Sequence, residues 1–550
     1  MPTEKLQASR TTDALSRRHF LRLAVLSGSG LAVGGLLAAC GEAVPATQPV
    51  AAGTPVANAA SRTKTLDQLV IGSLEEPGSL SALVDLPHHF PEHVPQTLLF
   101  DSLAQLQPDG TVVPKLAEKW AISADNLTYT FTLRDNAKFH DGSAITADDV
   151  KFTIDTCNDP KSGSSNEGVD TVDKVEATDA RTVRITLKSV TPMFLAQGGA
   201  RGIVPKRLLE GKDIGNDTFN KQPVGSGPYK LVGYTPGQSI IMEAVPDHYR
   251  GAGRIKRIVF KILTDQNVIL TQLRAGELNY ALITPRDLAT VKGIAGTRVL
   301  EATTPRFFDI TPNYARTYWR EQPVREAILT AIDRQGIVDK VLQGKGAVID
   351  ANVAPISWAF NPDVPKHPFD VTKAKALLDG AGWVAGSDGI RAKGNQKLIF
   401  STMINNYDRT LEQALLVAQQ GLKDIGVTLQ IERLEPGVFN SRRGKNDYDT
   451  LARIWNPVYD PDQTSLVKTG NFYGYSNQQV DTLSAQALAT VDQARRKTAY
   501  TQIQHILATD VARLFLYTEN ELHAMTDGLN GPQAHPVSIF WNLKDWQLGN

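Results

Sequence analysis

The sequence predicts an α/β protein with two lobes, and three observations support this. Its 550 residues exceed the usual size of one domain. Residues 258–283 follow a strand–helix–strand order, in which Asp265 can cap the helix and Gly276 can end it. That order is typical of a βαβ unit. A second α/β body with the same alternation begins near residue 307.

Earlier in the chain, the pattern predicts short strands and a capped helix. Residues 127–134 and 183–187 alternate apolar and polar side chains, as half-buried strands do. Thr146 and Asp149 have the spacing of a capping box that would open a helix over 147–157.

Helical spacing of apolar residues recurs through the second body. The predicted elements, in order, are helices over 324–332, 370–380 and 410–425, a strand over 427–431, a helix over 497–509 and a strand over 514–517. Asp370 can cap the second of these helices, and Gly426 can end the third.

The first 40 residues are typical of an export signal. Residues 16–21, Ser-Arg-Arg-His-Phe-Leu, resemble a twin-arginine signal, which implies export after folding. Glycines interrupt the apolar run at 23–39, whereas a membrane-spanning helix needs about 20 firmly apolar residues. Leu-Ala-Ala-Cys at 37–40 resembles a bacterial lipobox, which implies cleavage before Cys40 and lipidation of its thiol. The alternative is an ordinary secretory signal with a chance cysteine.

These signals predict a protein that works outside the cytoplasmic membrane and is tethered to it by lipid. Residues 41–65 are rich in proline, alanine and threonine, which indicates a flexible linker. The 58 basic and 58 acidic residues balance, so composition gives no reason to expect nucleic-acid binding. The two cysteines, Cys40 and Cys157, supply no disulfide framework and no cysteine metal site. We expect no cofactor.

Two segments carry candidate binding residues. His88, His89 and Phe90 lie in an irregular stretch with a further histidine at 93. A metal site is conceivable there, but two prolines exclude helical spacing and no carboxylate spacing supports it. A polar loop is the simpler interpretation, and a loop that lines a ligand cleft is the alternative.

The second segment, residues 453–462, combines aromatic residues, acids and prolines in one stiff loop. Such a loop suits recognition of a small polar solute with an apolar part. Its candidate ligand-binding residues are Arg453, Trp455, Asn456, Tyr459, Asp460 and Asp462. The alternative interpretation is an acidic surface turn over a buried tryptophan.

Motifs of common enzymes are absent from the sequence. It contains no Gly-x-Ser-x-Gly, His-Glu-x-x-His, Cys-x-x-Cys or phosphate-loop pattern, so an exported hydrolase is the weaker hypothesis. The glycine-rich stretch at 223–229 lacks the spacing and the lysine of a phosphate loop, and we interpret it as a tight structural crossing.

Several ordered stretches resemble one family, the extracytoplasmic solute-binding proteins of ABC importers, family 5, of the dipeptide, oligopeptide and nickel type. Among them is Phe-His-Asp-Gly at 139–142. The full set is 99–103 with 114–120, 131–150, 225–229, 324–334 and 374–383. The resemblance covers the chain from about residue 66 onward.

The resemblance implies a bilobed periplasmic-binding-protein type II clamp of cluster C, with an extra inserted subdomain. Lobe I would comprise residues 66–306 and 515–550, with the inserted subdomain at roughly 86–190. Lobe II would comprise residues 307–514, and crossings near 303–308 and 514–518 would act as hinges. A monomeric receptor would capture a small solute between the lobes, without chemistry on it, and deliver it to a permease and ATPase complex.

One departure from the family pattern concerns the substrate. Peptide-binding members typically carry an aspartate three residues after the loop tryptophan, where it pairs with the peptide amine; here that position is Val458. Asp460 or Asp462 could take this role. Short peptides remain the first hypothesis. A nickel chelate, an oligosaccharide or an opine-like compound is the alternative, as is a sensor role without transport.

Overall fold

The computed structural model describes residues 67–84, 93–456 and 460–549. The described residues belong to one compact unit. The export signal with Cys40, the linker, His88, His89, Phe90, Val458 and Tyr459 all lie outside the described residues.

The first lobe is built on a seven-stranded mixed sheet. Its strands, in spatial order, are Thr297–Ala302, Glu521–Thr526, Tyr280–Ile283, Gln68–Ser73, Arg257–Ile262, Ser239–Ala244 and Tyr229–Thr235. Gln68–Ser73 pairs in parallel with Arg257–Ile262 and Tyr280–Ile283. The helix Gln266–Arg274 connects the last two strands, and the Asp265 side chain accepts hydrogen bonds from the backbone N–H groups at its start. The predicted βαβ unit and its cap are confirmed.

A four-stranded antiparallel sheet packs into the same lobe. Its strands, in spatial order, are Ala117–Ile122, Thr128–Leu133, Thr182–Leu187 and Val172–Ala177. Thr128–Leu133 alternates half-buried and buried residues, as the sequence pattern predicts. The capping box of Thr146 and Asp149 is present at the start of the helix Ala147–Asn158. This sheet falls within the range expected for the inserted subdomain.

Shorter elements complete the first lobe. Its other helices are His93–Leu99, Phe194–Gln197, Lys206–Leu209 and Leu288–Lys292, with 3-10 segments Gly198–Ala200, Ile214–Asn216, Thr218–Asn220, Pro285–Asp287 and Ile539–Asp545. Two small hairpins pair Ala104–Leu106 with Val112–Pro114 and Leu529–Asn530 with Gln547–Leu548.

The second lobe is built on a six-stranded sheet. Its strands, in spatial order, are Gly346–Val348, Leu514–Glu519, Phe307–Pro312, Thr450–Trp455, Ile399–Asn405 and Thr428–Leu434. Its helical segments are Thr317–Arg320, Gln322–Thr330, Arg334–Gly336, Ile337–Val341, Val371–Gly380, Arg409–Asp424, Pro436–Gly444, Thr464–Val467, Gln478–Leu488 and Gln493–Asp510. A small sheet of Val384–Ala385, Arg391–Lys393 and Gln396–Lys397 lies outside the main one.

The two lobes have separate hydrophobic cores. One cluster runs from Leu69 on the first sheet to Trp546, and another runs from Phe308 to Tyr517 on the second sheet. Separate cores connected by few strands are what a clamp needs if its halves move as rigid bodies.

The chain crosses between the sheets twice. The first crossing lies between Thr297–Ala302 and Phe307–Pro312. The second lies at Asn520, because Leu514–Glu519 pairs with Phe307–Pro312 in the second sheet and Glu521–Thr526 joins the first. The return to lobe I therefore comes at Asn520 rather than at residue 515. The apolar run at 514–517 predicts a strand but carries no information about which sheet receives it.

The glycine-rich stretch at 223–229 is a close backbone crossing, as predicted. A Cβ atom on Gly225 would lie 1.8 Å from the Leu99 carbonyl oxygen, and one on Gly227 would lie 2.2 Å from that of Leu98. Only glycine permits this approach. Within the described part of the chain, no helix has the length and apolar character needed to cross a bilayer.

Candidate functional site

A cavity of about 420 Å³ lies between the two sheets, and we call it the front cavity. Its volume is within the range of small-molecule sites. The first lobe contributes Glu75, Tyr280, Leu282, Glu521, His523 and residues 536–540, and the second contributes Asn405, Tyr407, Asp408, Pro436, Phe439, Asn440, residues 452–454 and Asn456. Thr304, Pro305 and Arg306, from the first crossing, complete the wall.

Arg453 is the cationic group that the second lobe presents to the front cavity. It lies on the strand Thr450–Trp455 and lines the cavity together with its neighbours Ala452 and Ile454. Burial, together with the positive charges of Arg443 and Arg513, lowers the pKa of Arg453 to about 10. Among the described residues, no carboxylate lies within 4.0 Å of its guanidinium. A guanidinium in this setting favours an anionic ligand group.

Trp455 packs in the core of the second lobe. It is 8% exposed, and the guanidinium groups of Arg453 and Arg513 both lie over its ring, with centres 4.4 Å and 4.2 Å from the ring centroid. Its Nε1–H donates a 2.9 Å hydrogen bond to Asp309 Oδ1. The sequence interpretation of Trp455 as a direct ligand contact is therefore not supported, and its burial agrees with the alternative.

The buried pair beneath Trp455 is invisible to sequence patterns. Asp309 and Arg513 are fully buried, and the Arg513 Nη2 atom lies 2.5 Å from Asp309 Oδ2. Thr311 donates a further hydrogen bond to Asp309 Oδ1. Removing one member of such a pair leaves an uncompensated buried charge. The pair fixes Trp455, which in turn supports Arg453 by stacking.

Of the remaining described candidates, one lines the front cavity and two make contacts within the protein. Asn456 lines the front cavity. Asp460 accepts two hydrogen bonds from Arg496, at 2.7 Å and 2.6 Å, so its carboxylate is already neutralised. Asp462 accepts a 3.0 Å hydrogen bond from the Thr464 N–H, and burial raises its pKa. Neither acid lines the front cavity, so the replacement of the family aspartate by one of them stays a prediction.

The opposite wall contains the acidic and aromatic groups of the first lobe. Burial raises the pKa of Glu75. Burial lowers the pKa of His523 to about 4, and Tyr280 Oη lies 2.7 Å from its Nδ1 atom. Glu521 pairs with Arg306 at 2.9 Å. Glu75 is thus the carboxylate on this wall that no described basic group neutralises within 4.0 Å.

Sequence reasoning missed these wall residues. Glu75, Arg306, Tyr407 and His523 come from four distant segments, and only the three-dimensional pairing of the sheets brings them to one cavity. Tyr407 is 58% exposed, and a large exposed aromatic often marks a contact surface, but this exposure is visible only in the structure.

Metal binding has no cluster to support it among the described residues. Within 67–84, 93–456 and 460–549, no three His, Cys, Asp or Glu side chains lie together in a way that could hold an ion. His88 and His89 are outside these ranges.

Comparisons with known proteins agree with this architecture. A family model described as "Bacterial extracellular solute-binding proteins, family 5 Middle" matches residues 111–477. The oligopeptide-binding protein AppA of Bacillus subtilis (strain 168) is 30% identical over 498 residues, which cover 87% of this chain and 91% of that protein. The probable D,D-dipeptide-binding periplasmic protein DdpA of Escherichia coli (strain K12) is 29% identical over 504 residues, or 88% and 94% of the two chains.

Solved structures show the same fold. The structure of AppA from Bacillus subtilis in complex with a nonapeptide matches with a TM-score of 0.79 and 28% identity, over 88% of this chain and 99% of that one. NikZ from Campylobacter jejuni in complex with Ni(L-His) matches with a TM-score of 0.79 and 26% identity, over the same shares. With its bilobed α/β clamp and its matching family model, this chain belongs to the bacterial extracellular solute-binding proteins, family 5, the receptors of ABC importers.

Proposed function

We propose that this protein captures a short, peptide-like solute in the front cavity and delivers it to an ABC permease and ATPase complex. The observation that carries the proposal is Arg453, a largely buried guanidinium on the cavity wall with no described carboxylate within 4.0 Å. A carboxylate of the solute would neutralise it, and bidentate pairing would fix the orientation of the solute. Asn456 would contribute a polar contact beside it.

The two walls favour a solute with both charges. Glu75 belongs to the first lobe and Arg453 to the second. A zwitterion whose ammonium faces Glu75 and whose carboxylate faces Arg453 would contact both lobes, and so would stabilise the closed arrangement. Glu75 would then replace the aspartate that the tryptophan loop lacks. AppA and DdpA are named for peptide ligands, which supports this solute class.

The candidates outside the described residues remain part of the proposal. His88, His89, Phe90 and Tyr459 would add contacts to the solute. The domain boundaries are proposed as residues 66–306 with 521–550 for lobe I and 307–519 for lobe II, and the crossings at 303–306 and Asn520 would act as hinges.

A non-peptide solute is the second candidate. NikZ binds Ni(L-His), whose histidine also presents a carboxylate, so a metal chelate of this type would use the same guanidinium. Both candidates can be tested at once by mass spectrometry of the small molecule that co-purifies with the protein. A peptide or amino-acid chelate supports the proposal, whereas a neutral sugar would contradict the assigned role of Arg453.

We also infer that the protein is a monomer tethered outside the cytoplasmic membrane by a lipid on Cys40. A twin-arginine signal and a lipobox support this. In Cys40→Ser we expect loss of the membrane-bound form, because no thiol remains for lipidation. Fractionation after expression in a bacterial host would detect it, with Cys157→Ser as the matched control. A Cys40→Ser protein that stays with the membrane would contradict lipid anchoring.

A further inference from the structure

Charged side chains from both chain crossings lie together. Arg306 lies at the end of the first crossing, and Glu519 and Glu521 lie on either side of the second. The pairing of Phe307 with Thr518 brings the two crossings side by side. The charges of these groups therefore act at the place about which the lobes would rotate.

One arginine serves three carboxylates there, and we call Arg306, Asp408, Glu519 and Glu521 the hinge cluster. Arg306 Nη1 lies 2.9 Å from Glu521 Oε1. Among the described residues, no basic group lies within 4.0 Å of the carboxylates of Asp408 and Glu519. Three ionised acids against one guanidinium leave an excess of negative charge, which is costly where water is partly excluded.

Glu519 is the member of the hinge cluster that changes charge near neutral pH. Burial raises the pKa of Glu519 to about 7; Arg306 acts against this, whereas the charges of Asp408 and Glu521 add to it. Burial also raises the pKa of Asp408, but its carboxylate accepts a 3.0 Å hydrogen bond from a backbone N–H, which favours the charged form. Glu519 is not among the described residues that line the front cavity, so its charge acts on the crossings rather than through a solute contact.

The other titratable groups around the crossings keep their charge near neutral pH. Lys345 and Glu301 form an ion pair at 2.6 Å. Burial lowers the pKa of His523 to about 4, so this ring stays neutral. Burial raises the pKa of Tyr407 and of Tyr517, so both hydroxyls stay protonated.

Two charged groups on the cavity walls complete the surroundings. Arg453 keeps its charge, because its pKa is about 10. Burial raises the pKa of Glu75, so this acid needs a variant of its own in any test.

The arrangement of the hinge cluster gives the effect a direction. Glu521 belongs to the first lobe, whereas Asp408 and Glu519 belong to the second. Arg306, Asp408 and Glu521 line the front cavity, so the repulsion acts on the cavity side of the crossings. A rotation that opens the lobes would separate Glu521 from the other two acids and admit water to them. Both effects favour ionised carboxylates.

We propose that the hinge cluster makes the clamp sensitive to pH: a proton on Glu519 favours the closed arrangement, and loss of this proton favours opening. This inference rests on the clamp and the hinges of the proposed function. An acid whose pKa is higher in the closed arrangement stabilises that arrangement at low pH, and the stabilisation is lost as the pH rises through that pKa.

Single-molecule fluorescence energy transfer on the ligand-free protein tests the proposal. Dyes on Val232→Cys in the first lobe and Val384→Cys in the second occupy positions that are 46% and 64% exposed. A Cys40→Ser background leaves the buried Cys157 as the one other thiol. We expect the ratio of open to closed molecules to rise about fivefold from about pH 6 to about pH 8, as it would for a pKa that is about one lower in the open arrangement.

Three variants assign the response to one group. Glu519→Gln carries no charge at any pH, so at about pH 8 it should keep the ratio that the unsubstituted cluster shows at about pH 6. Glu75→Gln should respond to pH as the unsubstituted cluster does. Glu176→Gln is the matched control away from the crossings, since Glu176 lies on the strand Val172–Ala177 and pairs with Lys174. Thermal melting verifies that each variant is folded.

The outcomes separate this inference from the proposed function. If pH leaves the energy transfer of the unsubstituted cluster unchanged, while a mixture of dipeptides and tripeptides shifts it, the inference is overturned and the clamp stands; this result does not depend on any variant. An equal pH response in Glu519→Gln, or a response that disappears in Glu75→Gln, overturns the inference as well. If neither pH nor the peptides shift the energy transfer, the clamp fails and the inference fails with it.

Discussion

Among single residues, Arg453 combines burial with nearby positive charge. Arg443 and Arg513 repel it, and its stacking partner is an aromatic ring rather than an acid. Neighbouring side chains hold the guanidinium in place in the fold. An anionic ligand would lower its electrostatic energy most, because it would offset the repulsion from the two other arginines.

Replacing this cation should affect one class of ligand only. In Arg453→Met we expect peptides with a free carboxylate to lose about 1.5–3 kcal/mol of binding free energy, because one charge-assisted contact is removed. Peptides with an amidated carboxy terminus should bind the variant and the wild type equally. Calorimetry with both peptide forms measures this.

Arg433→Met is the matched control, since Arg433 is an exposed cation on the strand Thr428–Leu434 that pairs with Glu412. Unchanged affinity of Arg453→Met for free-acid peptides would remove Arg453 from the site.

His140 couples the stability of the first lobe to pH. Its Nδ1 atom accepts from the Gly225 N–H at 3.2 Å, and its Nε2 lies 3.0 Å from the Gly227 carbonyl oxygen, which fixes the neutral tautomer. Burial lowers the pKa of His140 from 6.5 to about 4. Between these values the unfolded chain binds a proton that the folded protein does not.

We therefore expect the free energy of unfolding to fall as the pH drops from about 6.5 to about 4, with His140 contributing about 1–3 kcal/mol of the loss. Denaturant titrations across this range measure it. His140→Gln should show a shallower loss, whereas His505→Gln, at an exposed histidine on the helix Gln493–Asp510, should match the wild type. Parallel curves for wild type and His140→Gln would contradict this assignment.

At the scale of elements, the crossing at Gly225 and Gly227 ties the helix His93–Leu99 to the strand Tyr229–Thr235. The Gly225 position leaves no space for a side chain against the Leu99 carbonyl oxygen. The backbone of Gly225 and Gly227 also hydrogen-bonds to the His140 ring. One short segment therefore contacts both the helix His93–Leu99 and the turn that carries His140.

Adding a single methyl group should break this arrangement. We expect Gly225→Ala to lower the free energy of unfolding by at least about 3 kcal/mol, because the backbone must separate to relieve the clash. Chemical denaturation measures the change. Gly380→Ala, at the end of the helix Val371–Gly380, is the control, because no neighbouring atom lies within 4 Å of the Cβ position there. Equal stability of the two variants would show that the crossing adjusts at little cost.

Local elements could be predicted from the sequence because their signals are local. The cap at Asp265, the capping box of Thr146 and Asp149, and the alternation over 127–134 depend on neighbours within a few residues. Helix ends shifted by only a few residues, as with 410–425 against the observed Arg409–Asp424.

The candidate site could be predicted only in part. Arg453 and Asn456 line the front cavity. Trp455 instead donates a hydrogen bond to Asp309, 146 residues away in the chain, and Asp460 accepts from Arg496, 36 residues away. A loop rich in aromatics and acids looks the same in sequence whether its side chains meet a ligand or each other. Long-range pairing decides this, and a single sequence does not contain it.

At the scale of the whole molecule, two lobes that are joined by two chain crossings share one cavity. Lys345 of the second lobe pairs with Glu301 of the first at 2.6 Å, and Asn520 donates to the same carboxylate. These contacts lie at the crossings, where a rotation of one lobe against the other would be centred.

We expect the radius of gyration to fall when a peptide binds, because only the closed arrangement lets the solute contact both lobes. The midpoint of unfolding should rise as well, with about 2.7 kcal/mol of added stability at a ligand concentration of 100 times Kd. Small-angle scattering and thermal melting with a peptide library measure both quantities. With free-acid peptides, Arg453→Met should show smaller changes than the wild type at the same peptide concentration. Binding without compaction would contradict the clamp.

The order of strands in the first sheet also bears on how the protein is made. Glu521–Thr526 lies between Thr297–Ala302 and Tyr280–Ile283, so the sheet has a gap until that strand leaves the ribosome. Some 220 residues of translation separate the gap from the strand that fills it. The first lobe therefore matures only after the second has been synthesised, and a nascent chain that stalls before this strand is left with an open sheet edge that chaperones would have to shield.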